Sequence, residues 1–456
     1  MKLIQLSAGC VLLCALCALP ASAQTINEDI KIVASDAASP DFFGYSVAIS
    51  GTTTIVGAYQ DGGASGSAYL FDTLTGQELF KLTASDTAEQ DRFGYSVAIS
   101  GTKAIIGAHQ DDDAGNNSGS AYLFDTQTGI QIAKLTASDA ASFDQFGHSV
   151  AISGTTAIVG AHNDNGVTGS AYLFDTLTGQ ELFKLTASDA AAGDLFGYSV
   201  AISGTTAIVG AWANDDHGPI SGSAYLFDTV TGLEIAKLTA SDAAASDFFG
   251  ESVAISGTTA IVGAFGDDDA GGTSGSAYLF DTQTGIQIAK LTASDAAAGD
   301  LFGDSVAISD GNVIVGANGD DVAGSSAGSA YLFDFSLNIL QQPQGTIVTA
   351  GEAVEFSVPI QDETGVGFQW RRNGIDLVNG GNISGTQSST LQIIASEDDE
   401  AYYDCVVTDV LEITSDQVIL AVMPDPNECV VDLNGDGSLN FLDVSAFLAA
   451  FGAGCP

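Results

Sequence analysis

The stretch Phe43-Gly44-Tyr45-Ser46-Val47-Ala48-Ile49, followed by Ser50-Gly51-Thr52 and then Ile55-Val56-Gly57-Ala58, is the unit from which most of the chain is built. Its Phe-Gly pair returns at Phe93-Gly94, Phe146-Gly147, Phe196-Gly197, Phe249-Gly250 and Phe302-Gly303, at intervals of 50 or 53 residues. A fixed period of this length marks a repeat architecture. Within each unit two apolar runs flank a tight Ser-Gly-Thr turn, which reads as two short strands. A variable acidic loop follows. Then come Gly66-Ser67-Ala68-Tyr69-Leu70-Phe71, a Thr-x-Thr-Gly turn and Glu78-Leu79-Phe80-Lys81-Leu82, which supply a third and a fourth strand.

Four short strands with no helical periodicity cannot bury two apolar faces as an isolated sheet, whereas radial stacking of six such sheets can. The fold class expected is therefore mainly β, with a six-bladed β-propeller over residues 24–340; a right-handed β-solenoid is the alternative left open. Five outer strands lie between consecutive repeats, and Asp29-Ile30-Lys31-Ile32-Val33-Ala34-Ser35 offers a sixth at the amino terminus. This segment is predicted to pair into the sheet of the last repeat and so latch the ring and hide an open edge.

The same residues resemble the FG-GAP repeats of integrin alpha-subunit propellers: Phe-Gly, then Val-Gly-Ala as in Val56-Gly57-Ala58 or Val159-Gly160-Ala161, then Gly-Ser-Ala-Tyr-Leu-Phe. The resemblance implies an extracellular binding role. Three departures stand out: six units where integrins have seven, no Pro after Gly-Ala, and only Ser-Gly-Thr where many family members carry an Asp-rich calcium loop. Calcium is not expected at that position.

The residue after Gly-Ala is Tyr59, His109, His162, Trp212, Phe265 and Asn318 in successive units, so a closed propeller would gather them into a ring. A second set follows Phe-Gly: Tyr45, Tyr95, His148, Tyr198, Glu251 and Asp304. Acidic loops lie downstream, including Asp111-Asp112-Asp113, Asp164, Asp215-Asp216, Asp267-Asp268-Asp269 and Asp320-Asp321. Aromatic faces beside carboxylates suit a carbohydrate, a cationic peptide or a metal-bridged ligand. The alternative is that the rings only cap strand ends. Asp41, Asp91, Asp144, Asp194, Asp247 and Asp300 stand in Asp-x-Phe-Gly in every unit, which reads as an Asx-type turn accepting backbone N–H groups.

Gross composition narrows the partners. Of 456 residues 57 are acidic and 11 basic, a formal charge of -46, and no basic cluster exists that could neutralise phosphates, so nucleic acid and anionic membranes are poor candidates. Residues 1–23 have the layout of a secretory signal, with Lys2, an apolar run from Val11 to Leu19 and Ala21-Ser22-Ala23 before the cleavage point. Cys10, Cys14 and Cys17 leave a lipoprotein open as the alternative, and no later run is long enough to span a bilayer. A secreted or cell-surface location follows as the expectation. No nucleophile elbow and no His-Glu-x-x-His occurs, so an enzyme is not expected, and His109, His148, His162 and His217 read as loop residues.

At about Gln341 the repeat ends. Trp370 followed by Asp399-x-Ala401-x-Tyr403-x-Cys405 resembles an immunoglobulin-like domain over 341–424, with Tyr403 as the tyrosine corner. The partner cysteine is missing, so Phe356 is expected in its place and Cys405 as a buried free thiol. In 425–456, Asp432, Asn434, Asp436, Ser438, Asn440 and Asp443 have the spacing of a Ca2+ loop, with Gly437 at the sharp turn, and Phe441 to Phe451 has helical spacing. This small helical EF-hand-type module resembles a type I dockerin, which implies a cohesin-like or cell-surface anchoring partner, although one of the usual two segments is present. Cys429 and Cys455 bracket it and are expected to form a disulfide. The function expected is a secreted, non-catalytic binding or adhesion protein for an extracellular protein or carbohydrate. A propeller-based polysaccharide hydrolase or lyase, and a purely structural surface protein, are the alternatives.

Overall fold

The computed structural model describes residues 30–423, apart from 322–323, 325, 336–338, 361–362, 364–365 and 409–411. The expected leader, the expected calcium loop at Asp432, Asn434, Asp436, Ser438, Asn440 and Asp443, and the expected Cys429–Cys455 disulfide lie outside the described residues.

Each repeat forms one antiparallel sheet with its strands in chain order, and blade 2 serves as the type: Ser96–Ser100, Lys103–Ala108, Ser120–Asp125 and Gln131–Leu135. The first two strands close through Gly101-Thr102, and the third and fourth shift register between Leu123 and Phe124. Because successive side chains point to opposite faces, the apolar runs are buried on both. One face of blade 2, through Ile105, Ala121 and Leu123, packs on Val150, Ile152 and Val159 of blade 3. The other, through Val97, Ala104, Ile106, Tyr122 and Phe124, packs on Ile55 and Leu70 of blade 1. Five such junctions join six blades.

Close backbone approach sets the spacing of the blades. A Cβ on Gly107 would lie 2.0 Å from the Gly147 carbonyl oxygen, and Gly57, Gly160 and Gly263 meet the next blade at the same distance. Only glycine fits there. The buried Asp of each Asp-x-Phe-Gly accepts the N–H three residues earlier, as in Ala88 to Asp91 and Ala141 to Asp144, both 2.6 Å. This is the turn-forming role read from the sequence.

The predicted latch is not what forms. Among the described residues the sixth sheet has three strands, Phe302–Ser309, Asn312–Ala317 and Ser329–Asp334, and no strand pairing joins it to residues 30–35. Those residues lie instead against blade 1: Ala34 is buried with Val56, Ala58, Tyr69 and Phe71, and the Ser35 amide donates to Glu78. Both ends of the stack are bare. Val47 and Ile49 of blade 1 are 64% and 67% exposed, and Leu332 of blade 6 is 80% exposed. Residues 34–36 make the contacts that each outer segment makes with its next blade, since Ala34 and Asp36 stand toward Tyr69 and Lys81 as Ala84 and Asp86 stand toward Tyr122 and Lys134.

Beyond the repeats, residues 346–423 form two facing sheets. In one, Thr346–Thr349 pairs parallel with Val418–Met423, which pairs with Ala401–Thr408 and through it with Gly367–Arg372; the other holds Ala353–Ser357, Thr390–Ile394 and Ile383–Ser384. Between them Phe356 meets Trp370 at 6.3 Å and Tyr403 at 5.5 Å. The Tyr403 hydroxyl donates to the Asp399 carbonyl at 2.9 Å. Cys405 is a buried free thiol, and burial pushes it up to about 12.

Candidate functional site

Every first strand begins just after Phe-Gly and every second strand ends at Gly-Ala, so their next residues meet at one end of each blade. The two sequence-derived sets interleave into one file of rings. Tyr59 meets Tyr45 at 4.6 Å, Tyr45 meets Tyr95 at 5.0 Å, and Tyr95 meets His109 at 4.2 Å and His148 at 5.2 Å. His148 meets His162 at 4.3 Å and Tyr198 at 4.8 Å, and Tyr198 meets Trp212 at 5.7 Å. Trp212 then reaches Phe265 through Phe248, at 5.6 and 4.7 Å. In blade 6 the file ends in polar groups, with the Asn318 amide donating to Asp304 at 2.8 Å. Burial raises Tyr198, and the nearby Glu251 and Asp304 add to the rise. His148, Tyr198, Glu251 and Asp304, from blades 3 to 6, line one cavity, so the inner strands curve about a common axis rather than running straight.

Sequence reasoning missed Phe42, stacked on Tyr59 at 5.5 Å, and Phe248. Both occupy the x of Asp-x-Phe-Gly. No sequence signal marked them, since that position holds Phe, Arg, Gln, Leu, Phe and Leu in successive units; the structure shows it left-handed in all six, from Phe42 at φ 53° to Leu301 at 60°. Non-glycine residues are held in that region only where their surroundings insist on it.

The electrostatics divide the face in two. Burial lowers His109 and His162 to about 3 and depresses His148, so these imidazoles are neutral and pack as rings within the file. In blades 5 and 6, burial raises Glu251 to about 7, helped by the charge of Asp304, and burial raises Asp304 as well. His148, Tyr198, Ser199, Glu251, Ser252 and Asp304 line an open cavity of about 360 Å³. Four polar atoms on this face have no hydrogen-bond partner: Nδ1 of His109 and of His162, Nε1 of Trp212 and one oxygen of Glu251. Leaving a buried polar group unpaired costs about 1–3 kcal/mol.

The acidic loops behave differently. Lys134 on the fourth strand of blade 2 bonds Asp86 at 2.7 Å, Asp111 at 3.0 Å and also Asp113, while its ammonium lies 5.3 Å from the Tyr122 ring centre. The Tyr122 hydroxyl donates to both Asp86 and Asp111. Lys81, Lys184 and Lys290 repeat the pattern, and in blade 4 Lys237 bonds Asp189 and Asp216 with Asn214 in place of the buried aspartate. The trios Asp86-Asp111-Asp113 and Asp242-Asp267-Asp269 have oxygens close enough to share a cation, and the lysine ammonium is the cation bonded to them. His109, His148 and His162 form no such trio among the described residues. At the turn where a calcium loop was not expected, the chain offers only Gly101-Thr102.

Repeated four-stranded antiparallel sheets stacked about a common axis define a β-propeller class of protein. The FG-GAP repeat matches six times, over residues 26–71, 77–124, 130–174, 180–227, 233–280 and 286–333, and the chain belongs to that family. No curated protein matches the chain. Among solved structures, titin domain M4 is similar at 26% identity over 19% of this chain and 95% of that one, with a TM-score of 0.18. Titin domain M3 is similar at 21% identity over 19% and 95%, with a TM-score of 0.17. No described helix is long and apolar enough to cross a membrane.

Proposed function

We propose that this is a secreted, non-catalytic binding or adhesion protein whose ring file recognises a protein or carbohydrate ligand. The observation that carries the reading is the unbroken run of rings from Phe42 to Phe265 together with the unpartnered polar atoms of His109, His162, Trp212 and Glu251 on the same face. Rings offer stacking surface to sugar or side-chain rings, and Phe42 and Tyr45 present it at 55% and 52% exposure. In this reading the two-sheet unit is an immunoglobulin-like spacer. The segment 425–456 is a dockerin-like Ca2+ module held by a Cys429–Cys455 disulfide, and it tethers the chain to a cohesin-like or cell-surface partner.

Glycan and peptide arrays probed with the full mature chain test the first part. Binding that falls at least tenfold in Trp212→Ala and Tyr95→Ala supports the ring file, and binding unchanged in both rejects it. Calcium titration of the full chain against Asp432→Ala tests the tether, which requires one saturable site lost in the variant. A second reading, a polysaccharide hydrolase or lyase, is favoured by one observation: Glu251, held near neutrality beside Asp304 in an open cavity, suits a general acid. Turnover of a polysaccharide that disappears in Glu251→Gln would establish it.

A further inference from the structure

At the end of the blades opposite the ring file, the start of each second strand faces the turn after the third strand of the next blade. The residue that opens the second strand is Thr53, Lys103, Thr156, Thr206, Thr259 and Asn312 in successive blades. Blade 2 alone has a lysine there, and its side chain crosses to blade 3. The Lys103 ammonium donates to the Thr176 carbonyl at 3.0 Å and to the Thr176 hydroxyl at 2.8 Å, and Thr176 is fully buried. Bonds from the Thr178 amide and hydroxyl and from the Leu177 amide hold the neighbouring Asp175 carboxyl below its usual range, and the Lys103 charge adds to the shift. A junction between blades thus accepts a whole lysine side chain with no change of strand register, since Lys103 pairs with Asp125 as Thr156 pairs with Asp175.

One junction further on, Thr156 stands where the lysine was, and an open cavity of about 560 Å³ lies beside it. Thr156, Asp175, Leu182 and Phe183 of blade 3 line one side, and Thr229 and Val230 of blade 4 line the other. Thr229 is the counterpart of Thr176: its amide donates to the Thr205 carbonyl at 2.9 Å, as the Thr176 amide does to Thr155. Among the described residues, however, no donor reaches its carbonyl or hydroxyl. Asp228 sits in the same turn as Asp175 did, bonded by the Val230 and Thr231 amides and the Thr231 hydroxyl. The Phe183 ring lies against Gly232 of blade 4, where an added Cβ would come within 2.6 Å of it, whereas blade 2 has Ala133 at this place.

We infer that the groove between blades 3 and 4 binds the lysine side chain of a partner peptide. The stem lies along Leu182 and Phe183, and the ammonium bonds the Thr229 carbonyl and hydroxyl beside Asp228, as Lys103 bonds Thr176 beside Asp175. An ammonium carries three donors, and the carbonyl, hydroxyl and carboxylate supply its acceptors. The formal charge of -46 draws cationic segments toward the chain. This site and the ring file occupy opposite ends of the blades, so either can fail without the other.

The test is photo-crosslinking of the full chain with the peptide acetyl-Gly-Lys-photoleucine amide, against the same peptide with norleucine in place of lysine. Labelling mapped by mass spectrometry is expected at residues 153–156, 182–183 and 229–230, about tenfold above that from the norleucine peptide. Thr156→Lys gives the groove a lysine of its own and is expected to cut this labelling about tenfold, with a melting temperature no lower than wild type. Lys103→Thr empties the groove between blades 2 and 3 and is expected to add labelling at Thr176 and Leu177. Equal labelling by the two peptides, or groove labelling that persists in Thr156→Lys, overturns the proposal. Should Thr156→Lys melt below wild type, the Lys103→Thr variant decides, and no new labelling at Thr176 overturns the proposal equally.

Discussion

Blades 2 and 6 contain the same third strand, Ser-Ala-Tyr-Leu-Phe-Asp, yet Leu123 is fully buried and Leu332 is 80% exposed. Nothing local distinguishes them. The strand, its pairing with the second strand and the tyrosine hydroxyl bonds to two aspartates are present in both. What differs is the next blade, which covers one face and is absent from the other. Burial in this repeat is thus a property of the neighbour, so stability sums over junctions and an end blade rests on one junction where an inner blade rests on two.

The largest expected effect follows directly. Leu123→Ala should cost about 2–5 kcal/mol in chemical denaturation at low protein concentration, and Leu332→Ala about 0.5 kcal/mol or less. Equal losses would mean that blade 6 is covered. A second pair isolates the backbone contact: a Cβ at Gly263 meets the Gly303 carbonyl oxygen at 2.0 Å, whereas at Gly316 the nearest atom is the rotatable Ser305 hydroxyl at 2.4 Å. Gly263→Ala should cost about 1–3 kcal/mol or more, and Gly316→Ala clearly less. Third, Lys134→Met leaves Asp86, Asp111 and Asp113 facing one another and should destabilise by about 1–3 kcal/mol, while Lys31→Met in dilute protein should change almost nothing.

The smallest effect at neutral pH belongs to the imidazoles of blades 2 and 3. Burial holds His109 and His162 at about 3, below the unfolded value near 6.5, so the unfolded chain binds more protons between those limits. Their contribution is complete above about pH 6.5 and drains away as pH falls toward 3. Glu251, raised to about 7, acts in the opposite direction and its contribution is lost as pH rises through that value. His109→Phe with His162→Phe should leave the melting temperature at pH 7.5 nearly unchanged and flatten its decline between pH 6.5 and 4. A slope identical to wild type would contradict the buried, neutral assignment.

Much of this was legible in the residues. The period, four strands per unit, the Asx-type aspartates and the two ring-forming sets all follow from local pattern, because each is decided within one unit. In the two-sheet unit the packing of Phe356 on Trp370 and Tyr403 and the buried thiol of Cys405 follow their sequence reading, while nothing in the sequence marked Thr346–Thr349, since a parallel edge strand gains its identity from Val418–Met423 far along the chain. The latch failed for a related reason. Ile30 to Ser35 carries the pattern of a fourth strand, but pattern states which partner a strand suits and not where that partner lies in the fold. The shared ring file survives the failure, because it depends on adjacent blades curving about one axis rather than on the last meeting the first.

Amide hydrogen exchange in dilute protein tests the open-ended stack most directly, by comparing Ser120–Asp125 with Ser329–Asp334. In blade 2 both edges of the strand are paired, and in blade 6, among the described residues, only the edge facing Asn312–Ala317 is. Faster exchange in Ser329–Asp334 is the expected result. Equal protection of the two strands at the lowest concentration would mean that the ends are joined within one chain, and would contradict the account.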